Sequence, residues 1–287
     1  MSVVDLNIEQ NHFTGHFQKY SEKYFSNLYS KRPEIKILWD SLKYSFESGG
    51  KRFRPFLCYL VATTYKQNPD KILPYALAVE MIHTYSLIHD DLPCMDNDDY
   101  RRGQPTNHKV FGEDIALLAG DAFLTEAFAL IVNEYQSEPD LALKLIQILS
   151  FKAGSLGMIG GQVLDMKSQA NMSFEQVRLM HQLKTGALIE AAVLGSAHIC
   201  DATQDEVEYL SLYGQSIGLA FQIKDDILDA DDKDQDFKSF VTLLGLEKTN
   251  LELRTQSNTA QESLQKIKDK NVVLLKQLIT YNYNRDK

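Results

Sequence analysis

From Trp39 onward, apolar residues recur three and four positions apart, and the strict apolar-polar alternation of a half-buried strand is nearly absent. The pattern predicts an all-α chain with helices at 34–48, 53–66, 71–91, 113–134, 138–154, 174–197, 203–229 and 260–282. Such lengths exceed the globular average and suit a large helical bundle. Pro55 falls in a first helical turn, where a missing N–H is tolerated, and Ser173 with Glu175 after it makes an N-cap. Ala76 to Ile88 is apolar on almost every face, as expected of a helix in the middle of a bundle, yet it runs into His89, Asp90 and Asp91. The longest apolar stretch, Ile115 to Val132, is interrupted by Asp121 and Glu126 and reads as a buried helix with no membrane span.

Composition narrows the picture. With 287 residues, 44% of them apolar, the chain can bury a large core, and its 15 glycines and 7 prolines form no linker, so one domain over 1–287 is expected. A net charge of −9 without a Lys/Arg-rich block excludes a nucleic-acid partner. Cys58, Cys94 and Cys200 are odd in number and lack zinc-ligand spacing, which points to a reducing, cytoplasmic setting; the first thirty residues carry no secretory pattern.

The acid is concentrated at two predicted helix ends of similar sequence, LIHDD (87–91) and QIKDD (222–226). In FQIKDDILD, Asp225 and Asp229 lie one turn apart on a helix face with Asp226 beside them. Three converging carboxylates either form a solvated acidic face or need a cation, and the neighbouring Phe221, Ile223, Ile227 and Leu228 favour the cation. In HDDLPCMDNDD, Asp90, Asp91 and Asp96 straddle Pro93, which distorts or stops the helix, so helical geometry does not place Asp96; a polar helix exit is the competing reading. All-oxygen ligands select a hard cation such as Mg²⁺, while His89 keeps zinc open without a second His or Cys at ligand spacing.

Cations complement the acids. GGKRFRP (49–55) sets Lys51, Arg52 and Arg54 after a Gly pair at a helix start, either a phosphate site or a solvated C-cap. Arg101 and Arg102 follow the first acidic cluster, and Lys184-Thr185 interrupts an apolar helix, where a lysine needs a partner such as a diphosphate. His83 and Tyr85 on the central helix are core residues by default. Taken jointly, two carboxylate triplets and three groups of cations in an apolar bundle make sense if phosphates and metal ions sit between them.

GGKRFRP, LIHDDLPCMDNDDYRRGQPT, GQVLD, KTGAL and FQIKDDILD, in this order, resemble the trans-prenyl diphosphate synthases, most closely the bacterial farnesyl diphosphate synthases, over about residues 35 to 250. The resemblance implies a single large bundle around a central cavity, of the isoprenoid synthase type. It implies that Asp90, Asp91, Asp96, Asp225, Asp226 and Asp229 bind an allylic diphosphate through Mg²⁺, three ions in family members, and that Arg101 contacts that diphosphate. Lys51, Arg54, His83 and Arg102 would hold isopentenyl diphosphate, Lys184, Thr185 and Gln222 would lie near the ionising carbon, and Gln162 and Asp165 would support them.

The implied reaction is ionisation, condensation and elimination, joining isopentenyl diphosphate to dimethylallyl or geranyl diphosphate. A bulky residue five positions before the first aspartate goes with a fifteen-carbon product in the family; here it is Tyr85, about 7.5 Å back along the helix, while Ser86 lies more directly below Asp90. After Asp229 this chain carries the short DADDKDQDFKSF where the family has a longer Gly-Lys-rich loop; Lys238 matches the later lysine and Lys233 stands for the earlier one, so lid closure is where the chain could differ. Family members are generally homodimers. A geranylgeranyl diphosphate synthase and a catalytically silent prenyl-diphosphate-binding subunit are the alternatives.

Overall fold

The structure, a computed structural model, describes residues 5–168, 172–230 and 238–286. Lys233 and most of the acidic spacer after Asp229 lie outside the described residues. The helices are α1 (Leu6–Tyr29), α2 (Lys36–Glu47), α3 (Phe53–Thr64), α4 (Pro69–Asp90), α5 (Asn107–Phe111), α6 (Glu113–Glu134), α7 (Pro139–Ala153), α8 (Met158–Met166), α9 (Phe174–His181), α10 (Ala187–Ile199), α11 (Gln204–Leu228), α12 (Phe240–Leu244), α13 (Leu246–Gln265) and α14 (Val273–Asn284). Among the described residues the only strands are β1 (Tyr100–Arg101) and β2 (Gln104–Pro105), a hairpin pairing Tyr100 with Pro105.

The expected all-α class holds, and α4 is the central helix. It packs against α3, α6 and α10, with Ala76, Leu77, Ala78, Val79 and Ile82 at 0% exposure. Burial of Leu77, Val79 and Ile82 stabilises the fold by roughly 1.5–3 kcal/mol each before the entropy of ordering is counted. A second, smaller cluster of Val177, Met180, Leu219, Ala220, Ile223, Phe240 and Leu253 joins α9, α11, α12 and α13 beside the second acidic helix end.

Several segments depart from expectation. The predicted helix at 174–197 is two helices joined by a π-helical turn, Gln182–Gly186, which holds Lys184 and Thr185. Its start is as expected: Ser173 accepts from the Gln176 N–H at 3.3 Å and the Gln176 side chain accepts from the Ser173 N–H at 2.8 Å. The predicted helix at 260–282 is broken, because Asp269 takes a left-handed φ of 59° and Asn271 accepts from the Val273 N–H at 3.3 Å ahead of the new helix α14. Helix α1 was not expected, although Phe13, Phe17, Ser21 and Phe25 form its buried stripe. Helix α13 was missed over most of its length because its buried face is largely small and polar: Thr249, Gln256, Ser257, Ala260 and Ser263 accompany Leu253 and Leu264.

Helix α6 is buried along one side only. Ala116, Ala119, Phe123, Ala127 and Leu130 face inward, whereas Leu117, Leu118 and Val132 are 47%, 53% and 49% exposed. Apolar composition alone does not say whether a second face is covered by the same chain. By length and composition α6 and the stretch Pro139–Met166 would each suffice to cross a bilayer; α6 is packed on α4, and the second stretch is interrupted between α7 and α8.

Candidate active site

The end of α4 delivers the first acidic cluster. Asp91 caps the helix with its N–H on the Leu87 carbonyl, and Pro93 follows in a turn. That turn returns the chain, so that the Asp96 N–H donates to the Asp90 carbonyl at 2.9 Å and Asp96 comes beside Asp90 without helical geometry. The two neighbouring aspartates then part company. Asp91 is 3% exposed and accepts from Arg101, Nε at 2.7 Å and Nη2 at 2.6 Å, an arginine carried on the short hairpin. Asp90 turns into a cavity and forms no ion pair among the described residues. Burial pushes its carboxyl up to about 6, Lys184 opposing and Asp96 adding to the rise.

The end of α11 delivers the second cluster. Asp226 is buried and accepts from the Phe240 N–H at 2.7 Å and from Gln222 Nε2 at 3.1 Å. Both of its oxygens are thus satisfied by the protein, while the Asp225 charge still acts on it and the Asp229 charge acts on Asp225. Asp225 pairs with Arg285 at 2.6 Å, and burial raises its carboxyl with Arg285 and then Lys51 opposing. Asp229 caps α11, its N–H on the Asp225 carbonyl at 3.0 Å, and is exposed. Among the described residues no three His, Cys, Asp or Glu side chains are gathered as a closed metal cage. The aspartates of the two helix ends offer oxygen only, a donor chemistry that fits Mg²⁺ completed by phosphate oxygens and does not fit a closed zinc site.

The basic groups surround His83. Arg54 has a buried Nε without a hydrogen-bond partner, and burial lowers its guanidinium to about 10. His83 is held neutral, its pKa well below the usual value through burial and through Arg54, Arg102, Arg52 and Arg101. Arg102 donates to the Gly49 carbonyl and lies over Gly50, where φ is 116° and an added Cβ would overlap its guanidinium; only glycine allows that approach. Phe53 packs against Phe221 of α11 with ring centroids 4.9 Å apart and the planes tilted by 36°, and the Lys51 charge acts on Asp225 of the second acidic cluster.

Arg54, His83, Tyr85, Ser86, Asp90, Gln162, Lys184 and Thr185 share a cavity of about 590 Å³, whose other walls include Leu124, Met158, Ile159, Val163 and Met166. Lys184 donates to Asp165 at 2.5 Å and Lys238 to the same carboxylate at 2.6 Å. Burial raises the Asp165 carboxyl, but the two lysines outweigh it and hold it below the usual range. Thr185 Oγ1 donates to Gln222 Oε1 at 3.3 Å, and Gln222 continues to Asp226, a relay from the π turn to α11. Both amide atoms of Gln162 are buried and unpartnered, as is the Tyr85 hydroxyl.

The matching family is Polyprenyl synthetase, over residues 35–272. This chain belongs to the polyprenyl synthetase family. It is 43% identical over 271 residues to the farnesyl diphosphate synthase of Micrococcus luteus, covering 89% of this chain and 91% of that one. It is also 47% identical over 196 residues to a geranylgeranyl diphosphate synthase of Cyanophora paradoxa, covering 67% and 65%. The apo structure of an FPP/GFPP synthase from Zymomonas mobilis superposes with a TM-score of 0.86 at 32% identity, covering 96% of this chain and 99% of that one. As a member of this family, the protein is an enzyme with the all-α architecture of prenyl diphosphate synthases.

Some residues that shape this polyprenyl synthetase's site were not singled out from the sequence. Arg52 was read as one of a basic group, but it pairs at 2.6 Å with Glu80, 2% exposed, and lies 4.5 Å from the Phe46 ring centroid, so it braces the loop that carries Lys51 and Arg54. Glu80, an acid inside the apolar run of α4, was the available signal. Arg285 had none, since its partner Asp225 lies far away in the chain.

Proposed function

We propose that this enzyme is a magnesium-dependent farnesyl diphosphate synthase, condensing isopentenyl diphosphate with dimethylallyl or geranyl diphosphate. The observation that carries this reading is the cavity of about 590 Å³ that has Asp90, Lys184, Thr185 and an unpartnered Gln162 in its lining and apolar side chains over much of the rest. Mg²⁺, held by Asp90, Asp96, Asp225 and Asp229, would supply charge neutralisation for the departing diphosphate. Lys184 and Arg101 bind its oxygens as the carbon–oxygen bond breaks, and the apolar walls keep water from the allylic cation. Thr185 Oγ1 and the Gln222 amide oxygen present partial negative charge to that cation. Lys51, Arg54, His83 and Arg102 hold the second diphosphate, whose double bond attacks to form the new carbon–carbon bond. The proton lost in re-forming the double bond passes to the released diphosphate. Lys238, tied to Asp165, is a further diphosphate-binding residue.

Chain length follows from the wall behind Asp90. Tyr85 is 5% exposed and lines the cavity, which supports a fifteen-carbon limit, and Tyr85→Ala should lengthen the product on chromatography. The relative in Cyanophora paradoxa favours a second reading, a twenty-carbon product. Free Cys58, Cys94 and Cys200 support a cytoplasmic setting, and the exposed apolar face of α6, continued by Leu143 and Phe151 on α7, supports a homodimer, which light scattering would test. Purified protein with labelled isopentenyl diphosphate and each starter, in Mg²⁺ or EDTA, tests the whole reading. Formation of farnesyl diphosphate only with Mg²⁺ is expected, and a folded protein that forms no prenyl product overturns it.

A further inference from the structure

We infer that His89 and Gly120 form a second gauge of product length, acting beside Tyr85; the inference rests on the prenyl synthase reading above. His89 precedes the first aspartate and reaches toward α6, where its Nε2 is also 4.0 Å from Asp121 Oδ1. Its Nε2–H donates to the Leu117 carbonyl at 3.0 Å, and its ring meets Tyr85, one turn earlier on α4, edge to face at 5.8 Å between centroids. Both rings line the same cavity as Asp121 and Leu124 of α6, so together they are its wall between α4 and α6. What seats His89 is Gly120: a Cβ there would fall on the imidazole, far inside van der Waals separation. A side chain at 120 drives the ring toward the cavity and narrows it, whereas loss of the ring opens the wall toward Leu124. The two changes act on cavity width in opposite directions, and the growing prenyl chain passes between these walls.

The test compares wild type, Gly120→Ala and His89→Ala with isopentenyl diphosphate and dimethylallyl or geranyl diphosphate, reading products by chromatography and fold by thermal melting. Gly120→Ala should raise the ratio of ten- to fifteen-carbon product about tenfold, and His89→Ala should raise the twenty- to fifteen-carbon ratio by a similar factor, the discrimination expected of a few methylene contacts. If Gly120→Ala does not fold, His89→Ala decides alone, because it only removes atoms. A folded His89→Ala that keeps the wild-type product ratio, whether or not turnover falls, shows the ring to be a pin between helices and overturns the inference. So does a folded His89→Ala with no turnover, since a wall residue is not needed for the chemistry. Wild type that forms no prenyl product instead overturns the underlying functional reading.

Discussion

At the end of α4, the second aspartate is held by a side chain ten residues along, Arg101, and the first is left unpaired in the cavity. At the end of α11, the second aspartate is held by a backbone N–H, that of Phe240, and the first is paired with Arg285 from beyond α14. Two stretches of nearly the same local sequence thus share one feature, a second aspartate that is buried and held by the protein. They differ in what enforces it. The first cluster is organised by a nearby hairpin, and the second by α12 and the C-terminal segment, so the second depends more on the integrity of the whole bundle.

The largest expected effect lies at the unpaired member. Asp90→Ala should lower kcat on the order of a hundredfold or more in steady-state assays at saturating Mg²⁺, since a contact that matters in the transition state is lost. Asp226→Ala tests the buried member: it strands the Phe240 N–H and interrupts the relay to Thr185. It should cost about 2–3 kcal/mol in urea unfolding and lower kcat as well. Arg285→Leu has no counterpart in the first cluster. It removes a buried guanidinium that also donates to the Phe221 carbonyl at 2.9 Å and covers the Phe221 ring at 4.3 Å. Because Asp225 is partly exposed, the expected loss is about 1–2 kcal/mol by the same measurement, and a loss of activity with unchanged stability would make Arg285 a site residue instead.

The smallest effect is on pH dependence without metal. Asp90 sits at about 6 in the fold against 3.8 ordinarily, so its contribution to stability is fully present below about pH 4 and is lost as pH rises through 6. Asp225 and Asp226 are shifted in the same direction. His83, held neutral, acts in the opposite sense, so the test is the difference between proteins: on raising the pH from 4 to 7 in EDTA, Asp90→Asn should gain roughly 2 °C or more in melting temperature relative to wild type.

Periodicity, caps and breakers were read correctly where the determinants are local. Helices α3, α4, α6, α7 and α11 lie close to their expected spans, Ser173 caps α9, and α4 stops at Asp90 ahead of Pro93. Misreadings fell where burial is achieved by small or polar residues, as in α13, or where one insertion changes helical phase, as in the π turn that presents Lys184 and Thr185. A π turn costs backbone regularity and is held by the packing around it, which a local pattern does not contain.

The chain by itself determined that this is a helical protein, that two helices end in aspartates, and that cations flank them, because helix periodicity and charge are written within a few residues. Tertiary structure alone decided what holds each aspartate of the two pairs, that Arg52 braces a loop while Arg54 keeps an unpartnered nitrogen, and that Gly120 makes room for His89. Those outcomes depend on partners brought together by burial, and the partner of Asp225 is sixty residues away.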